Sequence, residues 1–194
     1  MPTLRASYPI LAYRILLLTL AYILAGRLAL LLAIPPGFAT AIFPPIGISL
    51  AAVLLWGNPM LIGVFVGSVL LNTSMSISSG AAFGLPIITV AAEIAFGSCV
   101  AAWVGAYLIR KFIGFPNDLL DEWSIFLFFI LGGPVASSLS ASVGVTTLCL
   151  NGVISFSQAL NSWITWWTGD TIGVLIAAPL VLILFAYPRA LWRG

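Results

Sequence analysis

The sequence predicts an all-α integral membrane protein, a polytopic bundle of about six transmembrane helices with both termini cytoplasmic. Three observations lead there. Of 194 residues, 62% are apolar and only 6% are charged, against about 25% charged in soluble domains. Mean hydropathy is +1.19. The apolar residues fall in runs close to the roughly twenty that one span requires, without the short alternating segments of a transmembrane barrel.

Taken in order along one domain (residues 1–194), the helices are expected at about 10–33, 39–56, 60–72, 82–109, 123–150 and 160–186. The first run continues past Arg27, too long for the apolar core of a signal peptide, and is read as a retained helix. A Pro-rich link, Ile34-Pro35-Pro36-Gly37, ends it. The second and third runs are short, and they read as two tilted spans or as a re-entrant hairpin; re-entrant backbone is tolerated only under a cover of protein or water. Asn72–Gly80 reads as a Ser-rich loop, and Gly132-Gly133-Pro134 predicts a kink in the fifth helix. Glu93, Gly97, Ala101 and Gly105 recur every four residues, as do Gly132, Ala136, Ser140 and Gly144. Small residues at that spacing let helices approach closely in lipid.

The cations set the orientation. With six spans, Arg5, Arg14, Arg110, Lys111, Arg189 and Arg193 share one side, which is cytoplasmic by the positive-inside rule. Trp56, Trp123 and Trp192 then mark the inner interface, and Trp163, Trp166 and Trp167 the outer one. The hairpin alternative breaks this charge asymmetry.

Three ionisable residues stand inside apolar runs: Arg27, Glu93 and Asp170. A charge at a helix centre costs at least about 2.5–3.5 kcal/mol, so each must be paired, neutralised or wetted. At about 1.5 Å per residue, the expected helix ends place all three at similar depths in the outer half. The expectation is a shared polar pocket in which Arg27 counters one carboxylate and the other binds a small ligand or ion. Trp163, Trp166 and Trp167 are its expected aromatic wall, with Asn72 and Asn161 near its mouth. A structural ion-pair network and an ion or proton path are the alternatives. Histidine is absent, which removes the commonest metal ligand and the usual pH switch; no metal or cofactor is expected. Cys99 and Cys149 read as buried free thiols. No phosphate loop, nucleophile elbow or zinc signature occurs. Ser137, Ser138 and Ser140 have no base near them, so the chain is not expected to be an enzyme. The scattered cations argue against nucleic acid as a partner.

Two stretches carry a resemblance. One is Phe43-Pro44-Pro45-Ile46-Gly47-Ile48-Ser49-Leu50-Ala51-Ala52, running on to Trp56-Gly57, Gly63, Gly67 and Asn72. The other is Trp166-Trp167-Thr168-Gly169-Asp170-Thr171-Ile172-Gly173-Val174-Leu175 with Ala178-Pro179. Together with Glu93 and Gly133-Pro134, they resemble the type-one membrane-associated sensor domain of bacteria, from about Ile10 to Ala186. Members of that family commonly carry about eight helices, against the six read here. The resemblance implies a multi-pass inner-membrane input module. Such modules precede histidine kinases or cyclic-di-GMP enzymes, receive a signal in the bilayer and bias a cytoplasmic output domain, commonly as dimers. The alternative reading is the substrate-binding membrane component of a small-molecule uptake system; a third is a membrane scaffold.

Overall fold

The computed structural model describes residues 8–31, 33–34, 39–116 and 121–186. Arg5, the centre of the Pro-rich link, Asp118, Arg189, Trp192 and Arg193 lie outside the described residues. Seven α-helices account for nearly all of the architecture: α1 (Tyr8–Leu30), α2 (Pro44–Trp56), α3 (Leu61–Ser78), α4 (Leu85–Phe112), α5 (Glu122–Ile130), α6 (Ala136–Leu150) and α7 (Ala159–Ala186). Helices α5 and α6 form one span joined by a π turn at Leu131–Val135. Among the described residues, five helical spans are long and apolar enough to cross a membrane: Tyr8–Leu30, Asn58–Ser78, Leu85–Phe112, Glu122–Leu150 and Phe156–Phe185.

Helix α2 is the sixth apolar element and the exception. Its 13 residues rise only about 20 Å, against a hydrocarbon core of about 30 Å. The expected start at residue 39 is corrected to Pro44. Proline has no N–H and is tolerated only in the first helical turn, so Pro44-Pro45 can begin a helix but cannot continue one. Upstream, Ala33–Ile34 (β1) pairs antiparallel with Ala39–Thr40 (β2), and the chain runs extended to Phe43. No residue of α2 is exposed. It packs against α1, α4 and α7, inside an arc in which α1 meets α3, α3 meets α4, α4 meets α6 and α6 meets α7. Ile46, Leu50, Ala51, Ala52, Val53 and Leu54 form the centre of the main hydrophobic cluster.

Two joints hold this half-length helix. At its C-terminus the Arg110 guanidinium donates to the carbonyls of Val53 (2.6 Å) and Leu54 (3.3 Å), placing a cation where the helix dipole is negative. Arg14 stacks over Trp56 at 5.3 Å at the same end. At the N-terminus, Gly169 and Gly173 of α7 lie against the carbonyls of Thr40 and Phe43, and Gly47 lies against the Gly173 carbonyl. The Phe43 N–H donates to the Gly169 carbonyl at 2.9 Å. A side chain at either α7 glycine would occupy the backbone of the extended segment.

The Ser-rich stretch is a second correction. Helix α3 runs on to Ser78 instead of ending near Leu71. Its polar groups turn back on the helix: Asn72 Nδ2 donates to the Ser68 carbonyl (2.9 Å), Ser74 to Leu71 (2.7 Å) and Ser78 to Ser74 (2.8 Å). Hydroxyls bonded locally in this way need no water. The expected kink takes the form of the π turn, where Pro134 supplies no N–H and the Trp167 indole donates to its carbonyl at 2.9 Å. The small-residue stripes face one another as close packing requires: Gly97 meets Val143 and the Ser140 carbonyl, and Gly105 meets Ala136 and Gly132. Glu122 opens α5 behind an Asp121 cap that accepts from the Ser124 N–H at 2.8 Å. Bonds from the Ser124 side chain and backbone hold the Asp121 carboxyl below its ordinary range.

Gly173→Ala is expected to destabilise the bundle by about 1–3 kcal/mol, as overpacking does. Gly133→Ala, whose added carbon would stand 3.4 Å from the nearest atom, should be tolerated; thermal unfolding in detergent compares the two. Arg110→Met should cost about 1.5–3 kcal/mol, the worth of hydrogen bonds to a charged group. The same unfolding midpoint reads it.

Candidate functional site

Asp170 is the one acidic side chain among the described residues that the fold buries, at 1% exposure. It sits on α7 between Gly169 and Gly173, the two residues that grip the extended segment. The sequence forces this placement: the face that presents glycine to the backbone of 40–43 also turns Asp170 inward, one residue on. Neither carboxylate oxygen has a hydrogen-bond partner. Ser140 on α6 and Trp166 on α7 approach as its weak, long-range donors, short of a formed hydrogen bond.

The carboxylate lines a cavity of about 30 Å³ shared with Tyr22, Thr40, Asn72, Ser98 and Trp166. That volume accommodates about two water-sized groups. Its walls come from α1, the β2 segment, α3, α4 and α7. The Tyr22 hydroxyl donates to Ser98 Oγ at 3.4 Å, and Asn72 Nδ2 reaches Ser68 Oγ at 3.3 Å. Trp166 closes one side, its ring held against Gly144. A polar group in a dry, apolar surround costs several kcal/mol unless satisfied. The cavity therefore favours whatever brings Asp170 a proton, a small cation or hydrogen-bond donors.

The three charges expected to converge do not. Arg27 and Glu93 are exposed on the surface of the bundle, and neither lines the cavity of Asp170. The cause for Arg27 is helical phase and length. The buried face of α1 is Leu18, Thr19, Tyr22, Gly26 and Ala29, and Arg27 falls with Leu24, Leu28 and Leu31 on the exposed face. Helix α1 ends at Leu30, so Arg27 lies within a turn of its end, where a long cation snorkels to the interface. Glu93 shares the exposed side of α4 with Phe96, Trp103 and Tyr107. It accepts from Asn151 Nδ2 at 3.3 Å, level with the end of α6. The first turns of α4 project past α6, so depth counted from the start of α4 places Glu93 too deep.

The tryptophans divide. Trp166 belongs to the cavity. Trp163 and Trp167 stack at 5.9 Å and 11° and fasten α7 to the neighbouring span, through Ser142 (3.0 Å) and the Pro134 carbonyl. Asn72 lines the cavity, whereas Asn161 is exposed and away from it. Sequence reasoning missed Tyr22, Thr40 and Ser98. For Tyr22 a signal existed, since Thr19, Tyr22 and Gly26 make a polar and small face in an otherwise leucine-rich helix.

Fold and site together define a multi-pass helical membrane domain built around one buried, unpartnered acid. The sequence model of the MASE1 family, a membrane-associated sensor domain, matches residues 14–193, and the chain belongs to that family. No curated protein and no solved structure matches it.

Arg27→Gln and Glu93→Gln are expected to shift stability by less than about 0.5 kcal/mol, as surface substitutions do. Trp166→Ala, which opens the cavity wall, should cost about 3 kcal/mol. Thermal unfolding of the three variants side by side measures the contrast.

Proposed function

We propose that the chain is one sensory unit, residues 1–194, in which Asp170 is the receiving group. It takes up a proton, a small cation or the donor end of a small ligand, and its state biases a cytoplasmic output domain beyond α7. The observation that carries this reading is the burial of Asp170 without a partner, in a cavity walled by five separate elements. A structural acid in lipid is paired; one left open among polar side chains is a functional group by default.

Six membrane-inserted segments, with α2 as the short one, support an inner-membrane topology with both termini cytoplasmic. Arg14, Arg110 and Lys111 then share the inner side, as the positive-inside rule requires, and Asp170 lies in the outer half. Occupancy is transmitted through α7. The residues flanking Asp170 hold the extended segment and the α2 N-terminus, so neutralising the acid alters the packing of α7 against its dock. Such a shift needs different affinities for two packings. Arg27 and Glu93 act in this reading at the rim of the bundle, Arg27 toward the headgroups and Glu93 through Asn151. Trp163, Trp167 and Asn161 support the position of α7. The partners are the bilayer, the ligand or ion, the output domain and a second copy of the sensor.

In a receptor that couples this domain to an output enzyme, Asp170→Asn should abolish the response while membrane expression stays at the parental level. An unchanged dose–response curve would remove Asp170 from the mechanism. Purified protein that accumulates substrate in vesicles would instead favour the uptake reading.

A further inference from the structure

A second, larger chamber opens beside the Asp170 cavity. Its volume is about 240 Å³, and it lies between the C-terminal turns of α3, the N-terminal turns of α4 and the loop after α6. Its floor is buried and apolar, made by Ala91, Ile94 and Leu148. The rim is exposed, at Ser79, Ala81, Pro86, Asn151 and Val153. Asn72, Met75 and Ile94 line both cavities and form the wall between them.

The two amide side chains of the chamber have a definite sense, beside the Ser76 and Ser79 hydroxyls, which can donate or accept. Asn72 Nδ2 is committed to Ser68 (2.9 Å). Asn151 Nδ2 is committed to the Thr147 carbonyl (2.9 Å) and to Glu93 (3.3 Å). With both amide nitrogens engaged by the protein, both amide oxygens are left as acceptors. No lysine or arginine lines the chamber, and beyond the wall stands the unpartnered Asp170 carboxylate. Acceptors, an apolar floor and no cation select against an anion and favour a donor.

We propose that this chamber is a binding site for a small apolar molecule bearing one hydrogen-bond donor, a neutral alcohol or an amine. A cavity of about 150 Å³ takes benzene, so this one takes a body of about ten non-hydrogen atoms. The donor end meets the Asn151 oxygen at the rim, and the Asn72 oxygen is a second acceptor, offered by the shared wall. The shared wall makes the chamber the antechamber of Asp170, so the inference extends the proposed sensory reading without depending on it.

A phenyl series of similar size tests it: 2-phenylethanol, 2-phenylethylamine, ethylbenzene and phenylacetate, each bound to the full chain in nanodiscs and observed by ligand NMR. The alcohol and the amine should bind at least tenfold more tightly than ethylbenzene and phenylacetate. Ala81→Trp and Val153→Trp, at exposed rim positions, should each weaken the alcohol at least tenfold. Leu150→Trp, exposed at the end of α6 and outside the chamber lining, should leave it within twofold, which separates the site from partition into the bilayer. Asn151→Leu, in a loop, should erase the preference for the alcohol over ethylbenzene; Asn72→Leu repeats this from the other wall if folding permits. Equal binding by all four probes, or binding indifferent to both rim tryptophans, overturns the inference. The two proposals fail separately. Loss of response in Asp170→Asn with no binding at the chamber rejects only the chamber. Chamber binding together with an intact Asp170→Asn response rejects only the role of Asp170.

Discussion

Everything in this bundle depends on how α7 receives the extended backbone of residues 40–43. A helix that stops short of the membrane thickness leaves non-helical chain at depth, and lipid offers that chain no hydrogen bonds. Gly169 and Gly173 solve the problem by bringing backbone against backbone, and the Phe43 N–H finds the Gly169 carbonyl. The cover that makes the irregular segment tolerable is thus supplied by one face of one helix. Asp170 is built into that face, so the site and the dock are a single construction. The surrounding helices then enclose it, through the small residues that let α4 and α6 approach.

Much of this could be read before any coordinates. The apolar runs locate four of the six expected helices to within three residues, because hydropathy decides what lipid accepts, and miss the start of α2 and the end of α3. Pro44-Pro45 and Gly132-Gly133-Pro134 mark real irregularities because a missing N–H has the same effect in any context. Asp170 stands out because a buried acid is expensive everywhere. Other features depend on rotation and relative height, which hydropathy does not encode. Arg27 is one residue from the buried Gly26, about 100° around the helix, and that rotation puts it outside. Glu93 is eight residues into α4, yet the neighbouring span ends beside it. Asn72–Ser78 looks like a loop by composition, and it is helical with Asn72, Ser74 and Ser78 each bonded back to the preceding turn.

The same considerations bear on the proposed receiving group, a buried carboxylate with no cation beside it. An arginine partner at Asp170 would fix its charge and remove the energetic difference that a signal must exploit. Among the described residues the cations lie toward the ends of the bundle, and Asp170 is the one buried carboxyl, where desolvation is costly. Tyr22, Ser98 and Asn72 supply polarity without net charge, so the energy of the cavity stays sensitive to what enters it.

Helix α2 has no exposed residue, whereas α1, α4 and α7 each present bulky side chains outward. Lateral pressure, stretching or thinning of the bilayer therefore acts on the shell and leaves the hub unloaded. Any such deformation becomes shear between shell and hub. That shear concentrates where the two are fastened: the Arg110 clasp at one end and the glycine dock beside Asp170 at the other. In the proposed sensory reading, the second of these joints, beside Asp170, is where a load on the bilayer and a bound stimulus meet.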